Sequence, residues 1–254
     1  VEKLPMWDQD YQDKPFFSEL SPQSRQWCAM VTRIDAHFGN ILNALEDPNE
    51  DGDKSDSVVH NTLVVFQSDN GGPEGKNRQE LDANGGLLGS KGSIYEGGIR
   101  VPTIMRWPKK ITQKSKLKKG TSTDLIIDCS DLLPTFCELA GAPVPLGLSG
   151  VSLAPTLTGN GEQRVRDFLI HETNGQASII SGRYKFIRPK KELYDSDLKK
   201  RRKKSKDGKD PNVFHLYDLQ TDHSESTNLA EAHRKLVEQL NDLITAERVD
   251  EPAG

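Results

Sequence analysis

"TLVVFQSDNGGPEG", Thr62 to Gly75, is the stretch of sequence that decides the fold. Its first part, Thr62 to Gln67, is apolar on both faces and therefore predicts a central strand of a parallel sheet. The strand stops on Asp69 and Asn70, and two glycines follow. In parallel α/β sheets, ligands bind at the carboxyl ends of strands. The pattern therefore predicts two polar side chains at a place where a ligand would bind.

These two side chains predict a metal site. Asp69 offers a charged oxygen ligand and Asn70 a neutral one, a combination that suits Ca²⁺, or with less support Mg²⁺, rather than zinc. Gly71 and Gly72 would let the backbone turn sharply beside the ion. The alternative is a plain Asp/Asn-Gly turn that ends a strand. The stretch alone leaves both interpretations open.

The segments around this strand predict an α/β fold for residues 1–160. Ser21-Pro22 is a typical helix start, and apolar residues recur after it at spacings of three and four. Val101 to Trp107 predicts another strand, and a helix is expected from about Ser130 to Ala140, where Gly141 would end it. We expect a mostly parallel sheet flanked by helices. The apolar positions of the first helix are Trp27, Met30, Val31, Ile34, Phe38, Ile41, Leu42 and Leu45.

Residues 161–254 predict a smaller α+β subdomain. Ser181-Gly182-Arg183 indicates a hairpin turn between two short strands, and an amphipathic helix runs through Leu236 to Ile244. We expect an antiparallel sheet covered by this one helix. The predicted strands are Phe168 to His171, Ala177 to Ser181, Tyr184 to Arg188 and Phe214 to Asp218.

Composition excludes some classes of function. The 254 residues are 34% hydrophobic and 28% charged, with a formal net charge of −4, which does not favour a nucleic-acid binder. No apolar run approaches the roughly 18 residues of a membrane span. The three cysteines form no Cys-x-x-Cys pair, so neither a zinc site nor a disulfide framework is predicted.

A second glycine-rich stretch, "GSKGSIYEGGIRVP", runs from Gly89 to Pro102. It places Lys91 among glycines, where a lysine can approach an anionic oxygen closely with backbone N–H groups nearby. An ordinary solvated loop lysine is the alternative.

The two stretches in this order resemble the C-terminal half of a formylglycine-type sulfatase of the alkaline phosphatase superfamily. The resemblance covers nearly the whole chain. Besides SDNGG, Lys91 and EGGIRVP, it is carried by "MVTRIDAHFGNILNALE", "DCSDLLPTFCELAGAPVP", "LSGVSLAPTLTG", "SGRYKFIR" and "HLYDLQTDHSESTNLA".

The resemblance implies a set of roles. It implies an alkaline-phosphatase-like fold and hydrolysis of a sulfate ester, with a sulfated carbohydrate as one candidate substrate. Asp69 and Asn70 are implied Ca²⁺ ligands, and Lys91 is implied as the catalytic residue that contacts the sulfate group. The implied nucleophile is a formylglycine hydrate made from a Cys or Ser. An exported compartment, whether periplasmic, extracellular or lysosomal, is also implied.

The sequence departs from the family pattern in two places. The family's Asn-x-Pro-Leu-Arg reads Asn84-Gly85-Gly86-Leu87-Leu88 here, which puts the role of that arginine in doubt. The nucleophile motif, Cys or Ser followed by x-Pro-x-Arg, is absent, because "SPQSR" at Ser21 has its proline second rather than third. We therefore expect a truncated chain that lacks the N-terminal half of the catalytic domain and is inactive alone.

Other interpretations and residues stay open. A phosphodiesterase or phosphonate hydrolase of the same superfamily is one rival, and a non-catalytic fragment is another. Glu96 and Arg100 are either a structural ion pair or substrate contacts. His171, after an apolar strand, is either a substrate contact or a solvent-facing strand end. The basic run Lys199 to Lys209 is either a solvated insertion or a patch for an anionic, sulfated polymer.

Overall fold

The computed structural model describes residues 17–111, 120, 122–173, 175–189 and 213–247. The chain divides into two compact units. Unit 1 comprises Val1–Gln67 and Thr103–Arg166, and unit 2 comprises Ser68–Pro102 and Asp167–Gly254. The predicted domain boundary at residue 160 stays a prediction, and the basic run Lys199 to Lys209 lies outside the described residues.

The helices and strands are numbered in chain order. The helices are α1 (Pro22–Glu46), α2 (Lys76–Leu81), α3 (Glu96–Ile99), α4 (Leu132–Ala140), α5 (Ala154–Thr158) and α6 (Arg234–Glu247). The strands are β1 (Val64–Gln67), β2 (Thr103–Arg106), β3 (Leu169–Thr173), β4 (Gln176–Ser181), β5 (Tyr184–Arg188) and β6 (His215–Asp218). Short 3₁₀ turns lie at Phe17–Glu19, Lys54–Asp56, Val59–Asn61 and Cys129–Asp131. Within the described ranges, no helix is long and apolar enough to cross a membrane.

Helix α1 in unit 1 begins where the sequence predicts. The side chain of Ser21 caps it by accepting a hydrogen bond from the backbone N–H of Ser24. The apolar face is only partly covered by the described residues. The Phe38 ring packs edge-on against Phe66 of β1, with ring centroids 5.4 Å apart, whereas Ile34 and Ile41 are 53% and 55% exposed.

Strand β1 pairs with β2 in antiparallel register, with Gln67 opposite Thr103. This corrects the expectation that β1 is a central parallel strand, because the pairing observed among the described strands is antiparallel. The reason lies in the connection. The chain leaves β1 after Gln67 and returns into β2 at the same end of the pair, so the second strand must run in the opposite direction.

Unit 2 contains the predicted α+β fold. Strands β3, β4, β5 and β6 form an antiparallel sheet in that order, and Ser181 pairs with Tyr184 across the predicted hairpin. One face of the sheet packs on α6 through Phe186 and Leu216. The other face packs on Ile94 and Tyr95 of the preceding glycine-rich segment. Side chains alternate between the two faces along each strand, so β5 and β6 contribute to both cores.

Candidate functional site

The turn that follows β1, Ser68–Gly72, is called the SDNGG turn here, and it brings two polar side chains together. Asp69 is exposed and Asn70 is half-buried. Nδ2 of Asn70 donates a hydrogen bond to Oδ1 of Asp69, and Oγ of Ser68 donates to the backbone carbonyl of Asn70 at 2.9 Å. The ends of the Asp69 and Asn70 side chains are therefore in contact through the amide nitrogen of Asn70.

Close backbone approach explains the first glycine of the turn. The N–H of Gly71 donates to the carbonyl oxygen of Gly98 at 3.0 Å. A Cβ atom at Gly71 would lie 1.8 Å from the carbonyl oxygen of Gly97. Only glycine lets the SDNGG turn lie this close to helix α3, which contains both Gly97 and Gly98.

The segment Leu87–Tyr95, called the lysine loop here, lies beside the SDNGG turn. The backbone N–H of Lys91 donates to the carbonyl oxygen of Gly72 at 2.9 Å. Asn84 ties the same two segments together, since its Oδ1 accepts from Gly72 N–H and its Nδ2 donates to the Gly89 carbonyl, both at 2.9 Å. Lys91 itself is exposed. The structure thus places exposed Lys91 next to the turn that carries Asp69 and Asn70.

The polar atoms of the SDNGG turn fit part of a hard-cation site. The carboxylate of Asp69 and the amide oxygen of Asn70 are oxygen donors of the kind that Ca²⁺ and Mg²⁺ bind. In the described part of the chain, no cluster of three or more His, Cys, Asp and Glu side chains could hold a metal. Asp69 and Asn70 would therefore supply two of the roughly six to eight oxygen ligands that Ca²⁺ takes.

His171 lies on the four-stranded sheet of unit 2. It is half-buried on β3, opposite Ser178 of β4, at one edge of the four-stranded sheet. The hydrogen bonds that join the SDNGG turn to the lysine loop run through Gly72 and Asn84. A substrate contact by His171 stays a prediction.

Glu96 belongs to a buried ion cluster, defined here as Glu96, Lys185 and Glu225. Lys185 is fully buried, and its Nζ donates to Oε1 of Glu96 at 2.8 Å. The same Nζ lies 2.9 Å from Oε1 of Glu225 and forms a second ion pair. Oε2 of Glu225 accepts from the backbone N–H of Glu96 at 2.7 Å.

Arg100 lies at the edge of the cluster, with Nη1 3.7 Å from Oε2 of Glu96. The ion pair expected for Glu96 and Arg100 is therefore present, and a substrate contact by the exposed Arg100 stays a prediction.

Aromatic residues border this cluster. The hydroxyl of Tyr217 lies 2.9 Å from Nδ1 of His215, and the Tyr217 ring packs edge-on against Tyr95. Burial raises the pKa of Tyr217 well above its ordinary value. Burial also raises the pKa of Glu225 to about 7, although the positive charge of Lys185 opposes this shift.

Lys185 and Glu225 were missed at the level of sequence. The signal for Lys185 was present, because in "YKFIR" the lysine alternates with Phe186 and shares a strand face with Ile187, which is buried. Glu225 lies outside the helices and strands, so no such alternation marks it in the sequence. It lies in a loop at a backbone φ of +53°, a conformation that residues other than glycine seldom adopt.

Family profiles match both parts of the chain. Residues 6–142 match the profile described as Sulfatase, and residues 88–250 match the profile described as N-sulphoglucosamine sulphohydrolase, C-terminal. A crystal structure of Ps i-CgsB in complex with k-i-k-neocarrahexaose superposes with a TM-score of 0.69 at 23% identity, covering 96% of this chain and 46% of that one. The match confirms the α/β fold of alkaline phosphatase type.

Curated relatives point to the same family. A sulfatase of Formosa agariphila is 40% identical over 154 residues, which cover 58% of this chain and 26% of the relative. The N-acetylgalactosamine-6-O-sulfatase of Bacteroides thetaiotaomicron is 27% identical over 226 residues, which cover 85% of this chain and 40% of the relative. The chain spans well under two thirds of the length of these relatives. On the profile matches and this shared fold, the chain belongs to the sulfatase family.

Proposed function

We propose that this chain supplies part of the active site of a Ca²⁺-dependent sulfatase that hydrolyses the sulfate ester of a carbohydrate. Asp69 and Asn70 would hold the metal, and Lys91 would contact the sulfate group. The observation that carries the proposal is the 2.9 Å hydrogen bond from Lys91 N–H to the Gly72 carbonyl, which joins the Lys91 backbone to the turn that carries Asp69 and Asn70.

The chemistry of a sulfate ester suits these groups. During hydrolysis, negative charge develops on the sulfate oxygens and on the departing alcohol oxygen. The ammonium group of Lys91, held on a loop fixed by backbone hydrogen bonds, would stabilise that charge with little reorganisation. A bound Ca²⁺ would supply further charge neutralisation and polarise a sulfate oxygen.

The nucleophile would come from outside these 254 residues. Nucleophilic catalysis needs a nucleophile and a group that activates it. No Cys or Ser of this sequence stands in the x-Pro-x-Arg context from which the family makes formylglycine. The 254 residues would therefore be inactive alone, and the remaining metal ligands would also lie outside them.

A carbohydrate substrate is supported by the relatives. One relative is named for sulfate removal from N-acetylgalactosamine and aligns with 85% of this chain. A sugar sulfate is also consistent with the position of Lys91, which is exposed and so accessible to a large substrate.

The test compares two proteins, one expressed from the complete coding sequence and one consisting of residues 1–254. Both are assayed with an aryl sulfate, an aryl phosphate and sulfated monosaccharides, before and after Ca²⁺ removal. We expect the first protein to hydrolyse sulfates in preference to the phosphate and to lose turnover without Ca²⁺, and the second to be inactive. A preference for phosphate would favour the phosphodiesterase alternative, and turnover by residues 1–254 alone would show a nucleophile within this sequence.

A further inference from the structure

The buried ion cluster is connected to both halves of the candidate site through helix α3. Glu96 is held twice, by Lys185 at its side chain and by Glu225 at its backbone N–H. The next two residues of the helix contact the site directly. Gly97 N–H donates to the Leu88 carbonyl of the lysine loop at 2.6 Å, and the Gly98 carbonyl accepts from Gly71 of the SDNGG turn at 3.0 Å.

The backbone of helix α3 lies so close to the lysine loop that there is no room for a side chain at Gly97 or Gly98. A Cβ atom at Gly97 would lie 2.5 Å from the Gly89 carbonyl oxygen, and one at Gly98 would lie 2.2 Å from the Ser93 carbonyl oxygen. Both neighbours are backbone atoms of the lysine loop. A displacement of Glu96 would therefore be transmitted to the backbone on either side of Lys91.

We infer that Lys185 and Glu225 are positioning residues, which act through Glu96 to hold the lysine loop against the SDNGG turn. The inference rests on the proposed function for its catalytic consequence. A buried lysine between two carboxylates is a costly arrangement unless its charges are matched. Here the three groups join helix α3 to strand β5 and to the loop at Glu225, so they fix the helix against the four-stranded sheet.

Glu225→Gln is the informative variant, because it keeps the shape of the side chain and an oxygen acceptor for the Glu96 N–H but replaces the oxygen that faces Lys185 with an amide nitrogen. Lys185→Met would leave two buried carboxylates without a cation, and it could prevent folding. Glu231→Gln is the matched control, since Glu231 is an exposed glutamate of the same unit.

The first measurement is amide hydrogen exchange in the protein expressed from the complete coding sequence. In Glu225→Gln, we expect exchange in Leu87–Tyr95 to rise about tenfold while exchange in α6 stays unchanged, which corresponds to local rather than global opening. Glu231→Gln should match the parent. Unchanged exchange in the lysine loop, or an equal rise in α6, would overturn the inference. This readout does not depend on sulfatase activity.

The second measurement is a double-mutant cycle on kcat/KM. Glu225→Gln should lower kcat/KM about tenfold in the parent but less than about twofold in the Lys91→Ala background, because residues that act through one another are not additive. The same fold loss in both backgrounds would overturn the inference. Full turnover in Lys91→Ala alone would instead refute the proposed function, and the exchange measurement would still decide whether the cluster holds the loop.

Discussion

The backbone N–H of Lys91 donates to the carbonyl oxygen of Gly72 at 2.9 Å, although the two residues are separated by a long glycine-rich segment. This hydrogen bond joins the two stretches that the sequence analysis identified independently. It brings the backbone of Lys91 against the turn that carries Asp69 and Asn70. Two features that are each common in loops become, together, a candidate site for an anion and a metal.

Replacement of Lys91 tests its contact with sulfate. In Lys91→Ala, we expect kcat to fall about 100-fold or more, the loss typical of one preorganised electrostatic donor. The fold should be unaffected because the side chain is exposed. Lys76→Ala is the control, since Lys76 is an exposed lysine in the same glycine-rich segment. Steady-state kinetics with an aryl sulfate make the comparison, and equal losses in the two variants would return Lys91 to the solvated-loop interpretation.

Gly71 tests the close approach between the SDNGG turn and helix α3. Gly71→Ala should lower the free energy of unfolding by about 1–3 kcal/mol, because its Cβ would lie 1.8 Å from a backbone oxygen. We expect its activity to fall as well. Gly39→Ala is the matched control. Gly39 lies within α1, and a Cβ atom added there would meet no heavy atom within 4 Å, so alanine should stabilise by about 0.5–1 kcal/mol. Thermal unfolding compares both variants with the parent. A Gly71→Ala variant as stable as the parent would contradict the close approach of the SDNGG turn to helix α3.

Glu225 tests the buried ion cluster through pH. Burial raises its pKa from 4.5 to about 7, so the folded protein retains this proton over a pH range in which the unfolded chain releases it. The resulting stability is fully present below about pH 4.5 and is lost as the pH rises through about 7. The groups that face Glu225 are Lys185 and Glu96, with Tyr217 and His215 beyond them.

The parent should therefore lose up to about 3 kcal/mol of unfolding free energy, relative to Glu225→Gln, between pH 4.5 and pH 8. Urea unfolding of both proteins across this range gives the difference directly. A difference that does not change with pH would mean that Glu225 ionises with its ordinary pKa in the folded protein.

Local patterns in the sequence predicted much of the fold. The Ser21 cap, the end of β1 before Asp69, the hairpin at Gly182 and the stop of α4 at Gly141 depend on neighbouring residues, and each is confirmed. The direction of the β1–β2 pair could not be predicted this way, because it depends on where a long connection returns.

The candidate site shows the same limit. Asp69, Asn70 and Lys91 carry their chemistry in local motifs, so they could be proposed from sequence, and their roles stay proposals. The pairing within the buried ion cluster could not be proposed, because Glu96, Lys185 and Glu225 lie far apart in the chain and no local pattern names their partners. Their pairing arises only when the sheet and the glycine-rich segment pack together.

The most direct test of the central claim is Ca²⁺ binding by Asp69→Ala, measured by calorimetry and metal analysis on the protein expressed from the complete coding sequence. Asp69→Ala removes a carboxylate ligand, so we predict that it loses bound Ca²⁺ and nearly all aryl sulfate turnover. Asn70→Ala, which removes a neutral ligand, should lose less of both, and Asp35→Ala, at an exposed position on α1, should match the parent. Full Ca²⁺ occupancy in Asp69→Ala would contradict the account.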